Sequence, residues 1–401
     1  MSVLFAAFPP FGFLSAAIGR LPIVFPHRHS IPGSPLSKKA RDDDKMTLTG
    51  CVRQLYLYRG GIMRKAKLMA ALLCLGMATA PVSAKEITTN TNPEAYGSVA
   101  ELEKAVRDWP AVERLGFGPY KKEKDKGTYV IPGLSKSASL SFSGKPSTCT
   151  SMTPQGVTET EDWLLISAYC HDHVHHSVIW VLDKDTHEFV KTVILDGMPH
   201  TGSIAWDETR NVLWVATHVH RKATASTIPM EELKSATDTK AVKWGRTFEL
   251  DGLPVDSCLC MDKDQLVAGT FEKSGSVHIK WYDVGKEKLT GREEKIRGNK
   301  TKSFGTNLQG IAVSGDHIIT AASDGPHLTS TLSIFPKDME DLDSPVAVAE
   351  LPPRLEQVSV SLSGTKLYAN FESAASAYRE EGVVVDRILS LDLEKLLKDA
   401  Q

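Results

Sequence analysis

The chain carries little net charge, little cysteine and no phosphate-binding glycine loop, and each scarcity removes a class of function. Its 401 residues hold 47 Lys and Arg against 49 Asp and Glu, a formal net charge of −2. That balance gives no reason to expect nucleic acid or an anionic membrane surface as the main partner. Without a Gly-rich phosphate loop or a Cys-x-x-Cys pair, neither a nucleotide cofactor nor a thioredoxin-like redox centre is implied. Ser167, Ser323 and Ser373 all lack the Gly-x-Ser-x-Gly context of a nucleophile elbow, so serine hydrolase chemistry has no support. The Leu68 to Thr79 apolar stretch is too short, and wrongly flanked, to span a membrane.

That stretch has another reading. Met63-Arg-Lys-Ala-Lys supplies a basic start, and Ala80-Pro81-Val82-Ser83-Ala84 supplies a small-residue cleavage site before Lys85. Residues 63–84 therefore read as a secretory signal peptide, and the mature protein is expected in the periplasm or outside the cell. Cys74 follows Leu72-Leu73 and lacks the small residue a lipoprotein site needs before its cysteine. Residues 1–62 read as an upstream extension outside the mature protein. Tyr58-Arg59-Gly60-Gly61-Ile62-Met63 is what an AGGAGG ribosome-binding site spells in frame, which points to Met63 as the start, with Met46 or Met1 as alternatives. Four cysteines follow the signal. Cys149 with Cys170 is the favoured disulfide, whereas Cys258 and Cys260, two apart on a strand, would bridge only under strain and read equally well as small core residues.

Residues 85–127 form an N-terminal helix and linker. Ser98 and Glu101 make a capping box, and Leu102, Ala105, Val106 and Trp109 repeat at helical spacing until Pro110, with up to two further turns beyond it. Residues 121–126 are a mixed-charge run that reads as solvated linker. From there the chain is all-β. One phrase, clearest at Leu308 to Ser323, runs strand, Ser-Gly-Asp turn, strand, and it recurs at Pro154, His200, Asp256 and Leu355. The lead-in residues are Gln155, His200, Asp256, Gln309 and Glu356, spaced about 45 to 55 residues apart, the period of a four-stranded propeller blade. The expected fold for residues 128–401 is a five-bladed β-propeller. Thr128 to Phe142 would supply the outer strand that the last blade lacks. Six blades are the alternative if those residues build their own sheet, and a β-sandwich is disfavoured by the period. In the second blade, Ile228 to Ala236 reads as a short inserted helix.

The segments Val178 to Asp183, Lys191 to Leu195, Ile204 to Asp207 and Leu213 to Val215 together resemble the YncE-like and gluconolactonase-like β-propellers. The resemblance implies a blade architecture over most of Pro154 to Leu393. Gluconolactonase-like members hold a divalent metal with carboxylate and asparagine side chains at the channel mouth. The five lead-in positions here carry a different set.

In a propeller the lead-in residues and the loops between second and third strands surface on one face, around the central channel. His200, Asp256 and Glu356 are the candidate acid–base groups, with Gln155, Tyr169, His218, Gln309, Glu372 and Tyr378 as candidate ligand contacts. Cys170 to His176 is the densest run of ligand-type side chains. His171, His173 and His175 are candidates for a divalent metal, although a solvated loop would look the same. The expected function is binding of a small molecule or cell-envelope protein by a monomer at this polar mouth. A metal-assisted hydrolase or lactonase on the same face is the alternative.

Overall fold

The computed structural model describes residues 91–219, 222–255, 257–284 and 294–399. The upstream extension, the signal peptide and Asp256 lie outside the described residues. Five four-stranded antiparallel blades account for most of the rest, so the architecture is the expected five-bladed propeller. The first blade comprises Met152–Glu159, Trp163–Cys170, Val178–Asp183 and Phe189–Ile194 from the axis outward. The second comprises Ile204–Asp207, Val212–Val219, Lys222–Pro229 and Thr247–Asp251. Cys258–Asp262, Gln265–Gly269, Val277–Asp283 and Glu294–Phe304 form the third. Its outer strand also pairs in parallel with that of the second blade. The fourth holds Leu308–Ser314, His317–Ala322, Ser330–Pro336 and Ala347–Leu351.

The fifth blade closes the ring. Leu355–Val360, Lys366–Phe371 and Arg387–Asp392 are its three inner strands, and the outer strand is Tyr129–Val130, paired with Ile388 and Arg387. Only these two residues of the expected closing segment do that work. Ser137–Leu140 instead forms a separate hairpin with Pro146–Cys149 beside the first blade. There Trp180 Nε1 donates to Ser137 Oγ at 3.0 Å, and Ser139 Oγ donates to the His176 carbonyl at 2.7 Å.

Why the ring holds is visible in the strand sequences. Val178-Ile-Trp-Val-Leu is apolar at every position, which suits a strand covered on both faces. Trp180 and Leu182 pack toward the fifth blade, with Ile166 and Tyr368, while Ile179 and Val181 pack toward the second, with Leu213 and Val215. Each of the five junctions between neighbouring blades has such a cluster. Cys258 and Cys260 sit in the third-to-fourth junction as buried core residues.

The helices are short. Val99–Ala105 begins with the expected capping box, both halves formed. Past Pro110 the chain winds into a π-helix, Val112–Phe117, in place of further α-turns, and both segments pack over the junction of the fourth and fifth blades. The inserted helix of the second blade covers only Met230–Ser235, because Ile228 and Pro229 still belong to a strand. Leu393–Lys398 is the last helix of the described residues. No helix of the described residues is long and apolar enough to cross a membrane.

Candidate functional site

Three of the lead-in residues reach the channel through a repeated backbone irregularity. In the first blade Pro154 faces Ala168 but Val157 faces Ile166, so the inner strand carries one extra residue. The same bulge recurs between Leu308 and Gly310 and between Leu355 and Val358. A bulge lifts a residue out of the ladder and re-aims its side chain, which is why Gln155, Gln309 and Glu356 turn to the channel mouth. The glycine beside the first two has a separate cause. A Cβ at Gly156 would lie 2.6 Å from Ser167 Oγ and 2.8 Å from the Ile204 nitrogen, and one at Gly310 would lie 2.8 Å from the Glu356 carbonyl oxygen. Near the axis the inner strands crowd too closely for a side chain at these positions.

These residues open on a cavity of about 420 Å³. Gln155, His200, Gln309 and Glu356 line it, as do Tyr169, His218, Glu372 and Tyr378. Val255 and Ser257, which flank Asp256, also face it, together with Gly202 and Phe271. The loop after the fourth blade's second strand, residues 323–327, contributes none of the lining residues. The three loop histidines divide. His171 meets the Tyr378 ring edge-on at 5.5 Å and His173 lies 5.8 Å from the Tyr169 ring, whereas His175 turns toward Cys170. Among the described residues, no metal-type cluster joins all three.

One wall is aromatic. Tyr169 stacks on the His200 imidazole with ring centroids 4.1 Å apart. The enclosing protein, and then the imidazoles of His218, His173 and His171, push His200 down to about 4. One side of the ring still meets solvent at the mouth, and His200 is neutral at neutral pH. The backbone beside it is strained, since the buried, β-branched Thr201 holds φ at +54°, kept there by the Ser167 hydroxyl donating to its carbonyl at 2.9 Å.

The opposite wall is acidic. Glu372 accepts from Arg354 Nη1 at 2.6 Å and from Gln155 Nε2 at 3.3 Å. The same guanidinium pairs with Glu381 and lies 3.8 Å over the Tyr378 ring. Burial raises Glu372, with Arg354 opposing the rise. Glu356 is only 5% exposed, and among the described residues no hydrogen bond reaches its carboxyl. Burial, and then the charge of Glu372, push it well above the usual carboxyl range. Both effects favour the neutral form of the Glu356 carboxyl, which faces the cavity beside the Arg354-paired Glu372.

Two residues of the site lie outside the repeat's lead-in positions. Arg354 precedes the fifth lead-in and organises the acidic wall at a φ of +64°. Gln357 stands where the first and fourth copies have Gly156 and Gly310, and that break in the repeat was the available signal. Its amide bonds to Val157, Ile204 and Leu259 near the axis. Gln357 thus lines a second cavity of about 300 Å³, with Thr158 and Asp207, while its neighbour Glu356 lines the first.

No known family profile matches the chain, and no curated protein does. Solved structures with a similar outline include the WD40 repeats of RRP9, at 12% identity and a TM-score of 0.37 over 60% of this chain and 94% of that one. U3-55K is similar at 12% identity and a TM-score of 0.36, over 60% of this chain and 96% of that one. A chain of a nidogen–laminin complex is similar at 12% and 0.36, covering 58% and 84%. The propeller assignment rests on this chain's own strand ladders.

Proposed function

We propose that the chain is an exported, YncE-like propeller that binds a small, neutral, polar molecule in the cavity at its channel mouth. The Glu356 carboxyl carries this reading: it lies at the cavity wall with no hydrogen-bond partner among the described residues, and burial favours its neutral form. A ligand that hydrogen-bonds to it gains a contact the protein itself does not make. The surrounding chemistry narrows the ligand. Tyr169, Tyr378 and Phe271 offer flat apolar surface, Gln155 and Gln309 offer amides, and the His200 imidazole is neutral. A sugar or its lactone, with hydroxyls on a compact frame, meets those demands better than an ion does.

A second reading is favoured by the same wall. Glu356, with its neutral form favoured by burial, beside the Arg354-paired Glu372 is an acid–base arrangement, so hydrolysis of a bound lactone is the alternative. Calorimetry and thermal shift with a panel of monosaccharides and their lactones test both readings. The expected result is binding that Glu356→Ala and Tyr169→Ala each weaken. Lactone turnover lost in Glu356→Gln would favour the enzyme. Binding that survives both alanine variants would place the ligand elsewhere.

A further inference from the structure

A second constellation lies at the base of the histidine loop, independent of the cavity reading. Cys149 ends the side hairpin and Cys170 ends the first blade's second strand, and the disulfide expected between them is not formed: both are buried free thiols. His175 returns from the loop to join them. Its Nδ1 lies 3.6 Å from Cys170 Sγ, and the three ligand atoms all fall within 4.8 Å of one another.

We propose that Cys149, Cys170 and His175 form a binding site for a soft closed-shell cation, Zn²⁺ or Cu⁺. Three observations support it. A tetrahedral ion held about 2.3 Å from sulfur and about 2.05 Å from nitrogen sets those atoms roughly 3.6 Å apart, the separation found between Cys170 and His175. The imidazole is also oriented as a ligand would be. Its far nitrogen, Nε2, is 3.1 Å from Ser147 Oγ, which can accept that N–H and leave Nδ1 free to face the sulfurs. Finally, donors already point at the thiols. The Ser151 N–H lies 3.5 Å from Cys149 Sγ, and Ser151 Oγ lies 3.6 Å and 3.5 Å from the two sulfurs. Two thiolates neutralise Zn²⁺, so the zinc-filled site brings no net charge into the blade, whereas Cu⁺ would leave one negative charge there. The half-buried His175 gives access from solvent, and Ser151 or water is available for a fourth position.

Such a site would tie the side hairpin to the blade and fix the loop that carries His171 and His173 at the cavity mouth. The test is cobalt substitution of the intact exported protein, reduced and stripped with chelator under anaerobic conditions. One equivalent of Co²⁺ should produce thiolate-to-cobalt charge-transfer absorption with the visible bands of a tetrahedral centre. Zn²⁺ should abolish the signal, and competition with a Cu⁺-specific chelator measures the other ion. Cys149→Ala and His175→Ala should lose the charge-transfer band, and His171→Ala should keep it. Ser147→Ala is the positioning variant, expected to weaken affinity about 10–100-fold while the band persists. Circular dichroism and melting of the metal-free variants check folding. Should folded, reduced wild-type protein show no charge transfer, or should Cys149→Ala bind cobalt with the same spectrum, the site is overturned.

Discussion

The side-chain amide of Gln357 pairs with the backbone of Ile204 across the channel: its Nε2 donates to the Ile204 carbonyl at 2.7 Å and its Oε1 accepts from the Ile204 N–H at 3.0 Å. The same amide also accepts from Val157 N–H at 2.9 Å and donates to the Leu259 carbonyl at 3.1 Å. One side chain of the fifth blade therefore satisfies inner-strand groups of the first three. Truncation strands several buried polar groups at once. Gln357→Ala should destabilise the protein by about 3 kcal/mol, more than one ordinary hydrogen bond is worth, because unmet buried donors and acceptors dominate the loss. Urea unfolding monitored by tryptophan fluorescence measures it. A loss within a few tenths of a kcal/mol would mean that water replaces the amide without penalty.

The repeat glycines make the complementary prediction. At Gly310 an added Cβ meets backbone atoms of the fifth blade, the Glu356 carbonyl oxygen and the Val358 nitrogen, both at 2.8 Å. Backbone cannot turn aside as a side chain can. Gly310→Ala should cost about 1–3 kcal/mol by overpacking. Gly315, in the hairpin turn, is a control of a different kind, since its φ of +55° is the only obstacle and nothing lies within 4 Å. Gly315→Asn, which tolerates that φ, should be nearly neutral. Denaturation midpoints of the two variants separate crowding from conformation.

Much of this architecture was legible in the sequence, because a blade junction demands apolar residues on both faces and the period exposes it. Val178–Asp183, buried at every position but the last, stands out in the sequence as an unbroken apolar run. Tyr129–Val130 was blurred, because two residues of ladder leave almost no alternation to read. The π-helix after Pro110 has no sequence signature that distinguishes it from an α-helix. At the site, the lead-in residues were legible because each copy presents one. Arg354 was not, since its role depends on Glu372 and Glu381, 18 and 27 residues away. His175 looked like one of three equivalent imidazoles. Only the fold of the side hairpin brings Cys149 to it.

Ring closure rests on a small contact with a large side chain. Tyr129 is 1% exposed, stacks on His187 at 3.8 Å and meets Tyr368 edge-on at 5.8 Å, and its hydroxyl donates to the Lys184 carbonyl at 2.8 Å. It joins the first and fifth blades from the closing strand. Tyr129→Ala should cost about 3–5 kcal/mol, the range for emptying a buried aromatic position. The loss should also be local at first. Hydrogen exchange should quicken at Ile388 and Arg387, which pair with the closing strand, before the second and third blades respond. Uniform acceleration across all blades would argue that closure is not a separable event.

The cavity predicts a stability profile with opposed slopes. Glu356 has a folded pKa above its unfolded value of about 4.3, so the native state keeps a proton that the unfolded chain has released. Stability from this group is fully present below that value and is lost as pH rises above it. Glu372 adds a slope of the same sign. His200 acts in the other direction. Its folded pKa, about 4, lies below the unfolded value of about 6.5, so the unfolded chain binds the extra proton and stability falls as pH drops from roughly 6.5 to about 4. The protein should therefore be most stable in mildly acidic solution. Glu356→Gln should flatten the alkaline side, and His200→Gln the acidic side. Urea unfolding at a series of pH values gives the slopes, and the His200 ring resonances give an independent reading. They should show a neutral imidazole well below the pH at which an exposed histidine has titrated. A His200 that titrates near 6.5 would remove the acidic slope and, with it, the neutral aromatic wall assigned to the ligand.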